Sequence, residues 1–164
     1  MIQRISKDEM FLTNALTTAR RATCSRRRVG CILVDRYGDV MATGYNGPPR
    51  GWGHCTDNPC PGATAAPGTS LDACEAIHAE QNALLQCKNV YAIHTVYCTD
   101  SPCSTCVKLL LNTSAVRIVY LREYPHATSQ ERWTRYPMTL NGGREIRTWE
   151  RFEDADRLLD LFAN

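Results

Sequence analysis

"EAIHAEQNALLQC", Glu75 to Cys87, sets a histidine and a glutamate two residues apart at the head of an apolar run. Inside a regular α-helix, positions i and i+2 do not face each other. If His78 and Glu80 serve one site, the helix starts at or just after His78, and Glu80 projects from its first turn. The segment before it, with Cys74, then closes a loop. Asn82 to Leu85 are expected to carry the helix's packing into the core.

The flanking periodicities place this helix within an alternating order. Residues 6–22 read as a helix: Ser6 and Glu9 fit a capping box, and Met10, Leu12, Ala15, Leu16 and Ala19 supply an apolar face. "VGCILVD" (29–35) and "VMATGYN" (40–46) flank "RYGD" and predict a β-hairpin. Residues 47–70 are rich in Gly, Pro, Thr and Asp, and a loop of that length needs something to organise it. After the helix at 79–87, residues 94–100 read as a buried strand and 102–112 as a helix with Pro102 near its start. Then come a strand at 116–123, a helix at 128–136, a strand at 144–150 and a helix at 152–162. This order predicts an α/β sandwich, with residues 1–164 forming one domain.

Composition narrows the class. The 164 residues are 43% apolar and 22% charged, ordinary values for a globular chain with a real core. No apolar run reaches the length of a membrane-spanning helix. "MIQRISKDEMF" lacks the pattern of a signal peptide, so a cytoplasmic location is expected. Nine cysteines, an odd number that includes a Cys-x-x-Cys, favour metal ligation over a disulfide framework. A formal charge of +2 argues against a large polyanion as the main partner, while leaving room for a small phosphorylated ligand. "RRATCSRRR" (20–28) spreads five arginines over nine residues at a helix end, where basic side chains complement the helix dipole. That reading is preferred to nucleic-acid binding.

The strongest chemical signal is His78-Ala79-Glu80 followed by Pro102-Cys103-Ser104-Thr105-Cys106. One imidazole and two thiolates make three protein ligands, and a catalytic zinc keeps its fourth position open for water. Both groups fall at predicted helix starts, where the positive end of the dipole favours thiolate. Glu80 is then available as a carboxylate that moves protons without binding metal. The competing reading is a structural zinc with Glu80 as a solvated helix residue. It would need a fourth ligand that these two segments do not supply.

At these residues the chain resembles a known family. His-x-Glu followed by Pro-Cys-x-x-Cys is the signature of zinc-dependent nucleobase deaminases. "CEAIHAEQNALLQC" and "TDSPCSTC" are similar to the cytidine and deoxycytidylate deaminase superfamily, and "VGCILVD…ATGYNGPPRG" is similar to its bacterial and phage deoxycytidylate branch. The resemblance covers residues 5 to about 123; "HATSQERWTRYPMTLNGGREIRTWE" matches only loosely. It implies a three-layer α/β/α sandwich around a mixed five-stranded sheet. It also implies zinc-dependent hydrolysis of dCMP to dUMP and ammonia, with Glu80 carrying a proton from the attacking water to N3 of the base. His78, Cys103 and Cys106 would hold the zinc, and no organic cofactor is implied.

For the substrate, the resemblance implies Asn46 at the sugar and the backbone of Ala79 and Ser101 around the base. Arg28, Tyr120 and Arg122 are candidates for the 5′-phosphate, by position near predicted strand ends. Many relatives are hexamers activated by dCTP with Mg²⁺ and inhibited by dTTP, and Tyr45, Asn46 and Gly47 would lie near such an effector site. "GHCTDNPC" is similar to a cysteine-bearing insertion with a structural zinc. Cys24 and Cys55 match it best, and Cys60 and Cys74 would complete four thiolates. Cys31, Cys87 and Cys98 are expected to be buried, His94 to lie in a strand and His126 in an exposed loop. Two other functions stay open. One is deamination of a different base, as in dCTP, a 5-modified dCMP, a nucleoside or adenosine in tRNA. The other is a zinc-stabilised binding module without catalysis.

Overall fold

Ser6 accepts a hydrogen bond from the Glu9 backbone N–H at 3.0 Å and caps α1, Lys7–Ala19. The computed structural model describes residues 4–66, 69–125, 128–140 and 143–163, so the expectation for His126 lies outside the described residues. Phe11, Leu12, Ala15, Leu16 and Ala19 form the buried stripe of α1. Met10 does not join it and is exposed, because Phe11 stands one turn before Ala15 on that stripe. The helix stops short of residue 22. The Thr23 N–H is drawn to the Asn46 carbonyl at 3.1 Å, which turns the chain away.

The hairpin is β1 (Gly30–Asp35) and β2 (Val40–Tyr45). Asp35 Oδ1 closes it by accepting the N–H groups of Tyr37, Gly38 and Asp39 at 2.8, 2.9 and 2.9 Å. Gly38 takes the left-handed φ of +97° that this turn requires. There follow α2 (Ala79–Gln86), β3 (Ile93–Asp100), α3 (Ser104–Leu111), β4 (Arg117–Arg122), α4 (Ser129–Thr134), β5 (Met138–Leu140), β6 (Gly143–Glu145), β7 (Thr148–Arg151) and α5 (Ala155–Leu161).

The sheet has five strands in the order β2-β1-β3-β4-β7, and β5 and β6 form a separate two-stranded ribbon. β1 runs antiparallel to both β2 and β3, whereas β3, β4 and β7 are parallel. Ile32, Val34, Tyr97, Val119 and Leu121 pack on one face against α1 and α5. Cys31, Leu33, Val96, Cys98 and Ile118 pack on the other against Ala79 and Ala83 of α2, Val107 and Leu110 of α3, and Trp133 of α4. The expected three-layer α/β/α sandwich with a mixed five-stranded sheet is what is found.

Two glycines set the spacing of the layers. A Cβ at Gly30 would fall on the backbone of Ala15 and Ala19 in α1, and one at Gly44 on the backbone of Ala79 and Ala83 in α2. α2 therefore lies directly on β2. Its Asn82 and Gln86 side chains donate to the Tyr45 and Thr43 carbonyls at 2.7 and 3.0 Å. The expected packing of Asn82 to Leu85 into the core therefore holds for Ala83 and Leu84 and fails for Asn82 and Leu85. Ala79, Glu80 and Ala83 are the buried residues of α2, and Leu85 is 77% exposed.

The last third departs most from expectation. The strand expected at 144–150 is two strands, because the buried Arg147 interrupts it. Its guanidinium donates to the Tyr136 carbonyl at 3.0 Å and reaches the Leu111 carbonyl at the end of α3 at 3.4 Å. β6 pairs with β5 on one side of this arginine, and β7 joins β4 on the other.

Candidate metal centre and anion cleft

His78 stands outside helical geometry. It is the N-cap of α2, with φ −71° and ψ 157°, and its N–H donates to Gln81 Oε1 at 2.9 Å. Cys103 is the N-cap of α3 in the same extended conformation, φ −70° and ψ 165°. The expected helix starts therefore hold, with Pro102 just ahead of the α3 cap. Both first turns aim unpaired N–H groups and the positive dipole end toward the side chains near them.

These caps bring three donors together. His78 Nδ1 lies 3.4 Å from Cys103 Sγ and 3.3 Å from Cys106 Sγ. Among the described residues, these are the three whose ligand atoms all lie within 4.8 Å of one another. Hydrogen bonding with Cys106 holds the Cys103 thiol down at about 3 despite its burial, and His78 adds to the effect. The same contact and burial push the Cys106 thiol up. Hydrogen bonding with Cys103 raises His78. A soft, anionic donor set of one imidazole and two sulfurs fits zinc, and three ligands leave a position for water.

Glu80, in the first turn of α2, is 4% exposed. Burial pushes its carboxyl up to about 7, with backbone hydrogen bonding and His78 opposing. The spacing of His78 and Glu80 is thus compatible with one site, because only Glu80 is helical. Cys31 and Cys98 lie fully buried as register partners in β1 and β3, while Cys87 is half-buried at the end of α2. His94 is in β3 as expected.

The remaining candidates separate by place. Gly47 and Ile77 exchange backbone hydrogen bonds at 3.2 and 2.9 Å, which docks the segment before His78 beside Tyr45 to Gly47. Asn46 is buried, and its side chain clamps the arginine segment: Oδ1 accepts from Val29 N at 2.8 Å and Nδ2 donates to the Arg27 carbonyl at 2.8 Å. One N–H and one lone pair of that amide remain for another partner. Ala79 and Ser101 are buried, and Ser101 N–H donates to the Arg122 carbonyl at 2.8 Å. Arg28 and Arg122 line a cleft of about 310 Å³ at the C-terminal ends of β3 and β4, together with Arg27, Asp100 and Glu123. Tyr120 is elsewhere, buried in the core with its ring 5.6 Å from that of Trp149. Arg27, Asp100 and Glu123 were absent from the sequence candidates. The signal available for Asp100 was an acid at a strand end just before Pro-Cys-x-x-Cys.

The four loop cysteines are linked in pairs, but no three of their sulfurs lie within 4.8 Å of one another, so the expected four-thiolate set is not drawn together among the described residues. Cys24, Cys55 and Cys60 are buried and Cys74 is half-buried. Burial alone would raise Cys55, but the Ser25 hydroxyl at 3.2 Å and the Cys60 N–H at 3.4 Å bring it down to about 7. Burial raises Cys74, and the Cys60 and Cys24 thiols add to this. The loop is further tied to the arginine segment, with Arg26 donating to the Gly62 carbonyl at 3.1 Å and Thr56 N–H to the Thr23 carbonyl at 3.1 Å.

Comparison with known proteins agrees with this geometry. The family model of the cytidine and deoxycytidylate deaminase zinc-binding region matches residues 5–122. A deoxycytidylate deaminase of Schizosaccharomyces pombe is 41% identical over 125 residues, 74% of this chain and 38% of that protein. One from Mycobacterium phage D29 is 41% identical over 123 residues, 71% of this chain and 94% of that protein. The chain thus spans under two fifths of the length of the fission-yeast relative. The crystal structure of the dCMP deaminase of cyanophage S-TIM5 in complex with dCMP and dUMP has the same fold. It is 24% identical, with a TM-score of 0.65 over 82% of this chain and 94% of that one. With His78, Glu80, Cys103 and Cys106 in one place and a family model matching the region that holds them, this chain belongs to the cytidine and deoxycytidylate deaminase family.

Proposed function

We propose that this chain catalyses the zinc-dependent hydrolysis of dCMP to dUMP and ammonia. The observation that carries the reading is a buried carboxylate, Glu80, beside a three-donor metal set. A binding module would have no use for such a carboxylate. Zinc, when bound by His78, Cys103 and Cys106, makes a water acidic enough to lose a proton near neutral pH. Glu80 accepts that proton and returns it to N3 of the base as water adds at C4. It then carries a further proton to the departing amino group, and the C4–N4 bond breaks to release ammonia. The buried Ala79 and Ser101 exclude bulk water and offer backbone groups to the base. Asn46 has hydrogen-bonding capacity left for the sugar. Arg28 and Arg122 are among the phosphate partners; the reading does not use Tyr120, which is packed in the core.

The finer parts of the proposal concern assembly and regulation. The chain acts as one domain and assembles as a homo-oligomer, a hexamer by family resemblance. The exposed apolar side chains Leu85 and Tyr91 support self-association. dCTP with Mg²⁺ would activate and dTTP would inhibit, near Tyr45, Asn46 and Gly47. Cys24, Cys55, Cys60 and Cys74 would hold a second, structural zinc; the contact of Cys60 with Cys55 and the influence of Cys60 and Cys24 on Cys74 support this, and the sulfurs would draw closer on binding it. A cytoplasmic enzyme fits the chemistry, and no helix among the described residues is long and apolar enough to cross a membrane.

The test is to incubate the zinc-loaded protein with deoxycytidine, dCMP, dCTP and 5-methyl-dCMP, with and without dCTP–Mg²⁺ or dTTP, and to follow loss of cytosine absorbance. Turnover is expected to be fastest with dCMP. If none of these compounds is deaminated, the proposal fails. Zinc content per chain checks the second metal: about two atoms support it and about one removes it.

A further inference from the structure

The anion cleft contains more acid than a simple phosphate pocket needs. Three guanidiniums, Arg27, Arg28 and Arg122, face two carboxylates, Asp100 and Glu123, which leaves one positive charge in excess. Asp100 is the organising member. Its side chain is 8% exposed and both oxygens are engaged: Oδ1 accepts from Arg122 Nε at 2.8 Å and Oδ2 from Arg27 Nη1 at 3.1 Å. Arg27 is further held over the Tyr124 ring, 4.2 Å from its centre. The Tyr124 N–H donates to Ser101 Oγ at 2.7 Å, so Tyr124 is fixed from the end of β3 as well. Arg28 and Glu123 make no ion pair among the described residues.

The consequence is geometric and electrostatic. Asp100 takes one N–H from each of two guanidiniums. A guanidinium has five N–H groups in a fixed fork, so each retains donors for a second acceptor. Two guanidiniums anchored to one carboxylate form a seat for one tetrahedral oxyanion. The same carboxylate cancels much of their charge, and Glu123 cancels more. A single phosphate of roughly two negative charges already offsets that one-charge excess. A triphosphate brings further negative charge to the same small excess.

We propose that Asp100, seconded by Glu123, determines the phosphate count this cleft accepts: it positions Arg27 and Arg122 for one phosphate group and turns polyphosphates away. The proposal deepens the deaminase reading, on which it rests for the identity of the base.

Calorimetric titration of the zinc-loaded protein with dUMP, dUTP and deoxyuridine tests it without needing turnover. The wild type is expected to bind dUMP more tightly than either of the others. In Asp100→Asn, the preference for dUMP over dUTP should narrow by roughly tenfold, the effect of one charge near the site. Asp100→Glu retains the charge and should restore most of the preference. Glu123→Gln, an exposed change with no ion pair to disrupt among the described residues, should narrow it by a smaller factor. An unchanged dUMP-to-dUTP ratio in both neutral variants overturns the proposal. So does a wild type that prefers dUTP or binds no nucleotide, and so does a loss in Asp100→Asn that falls equally on deoxyuridine. If dUMP is preferred but no cytosine compound is deaminated, the functional reading falls and the cleft assignment stands. Deamination without the preference gives the reverse.

Discussion

β4 carries an arginine at each end, and the two are used in opposite ways. At its start, Arg117 is surrounded by carboxylates. It donates to Asp8 at 2.8 Å through both terminal nitrogens and to Glu150 at 2.6 to 3.2 Å, while Tyr97 O–H donates to Asp8 at 2.7 Å. Two acids around one base, all partly buried, form a closed network joining α1, β3, β4 and β7. At the other end, Arg122 shares the single carboxylate of Asp100 with Arg27, and Arg28 stands beside them unpaired among the described residues. There the bases outnumber the paired acid, and donors are left over. The first end is saturated and serves stability. The second is unsaturated and lies at the C-terminal edge of parallel strands, where α/β sheets bind ligands.

The sharpest break between stability and function is expected at Glu80. Glu80→Gln should lower dCMP turnover by at least about 10³-fold, the upper range for losing a general acid–base group, with zinc content per chain unchanged. Metal analysis beside the rate assay checks this; an active Glu80→Gln removes the proton-carrier role. At the saturated end, Arg117→Met should cost about 2 kcal/mol in urea unfolding, because two partly buried carboxylates lose the cation between them. Turnover in that variant should stay near wild type.

The same substitution has a pH signature. Hydrogen bonding with Arg117 holds Asp8 below the usual carboxylate range. Burial alone would raise Glu150, but Arg117 lowers it overall. Groups depressed on folding stabilise above their unfolded pKa, roughly 4, and that contribution is lost as pH falls through the lower folded values. The stability gap between wild type and Arg117→Met should therefore be full at pH 6 and shrink as pH drops below roughly 4. A gap independent of pH would show that the network is not electrostatic. The smallest stability effect belongs to the unsaturated end. Arg122→Gln, half exposed, should cost less than about 1 kcal/mol while raising KM for dCMP.

Much of this was legible in the sequence because the decisive features are local. The His78–Glu80 spacing makes sense only if a helix starts between them, and helix starts follow from cap geometry over a few residues. The alternation in residues 29–46 and the buried runs at 94–100 and 116–123 likewise specify strands without reference to distant partners. What was not legible depends on tertiary pairing. Arg147 reads as one polar residue in a strand, yet it is buried and divides that strand by capping the end of α3. Met10 and Phe11 both suit an apolar face, and only the docking of α1 on the sheet separates them. Asp100 looked like a strand terminus; its two guanidinium partners come from positions 73 residues before it and 22 after it.

Gly44 puts a limit on how this chain can change. It touches no donor of the metal centre, but it lets α2 rest on β2 with backbone against backbone, and α2 begins one residue after His78. Cys103 and Cys106 are carried by a different helix, as the N-cap and first turn of α3. A side chain at position 44 would therefore work as a shim under one jaw of a vice. It would lift His78 and Glu80 away from the sulfurs without altering any group that does chemistry. The width of the metal centre is set in part from the far side of a helix, by a methyl group that is missing.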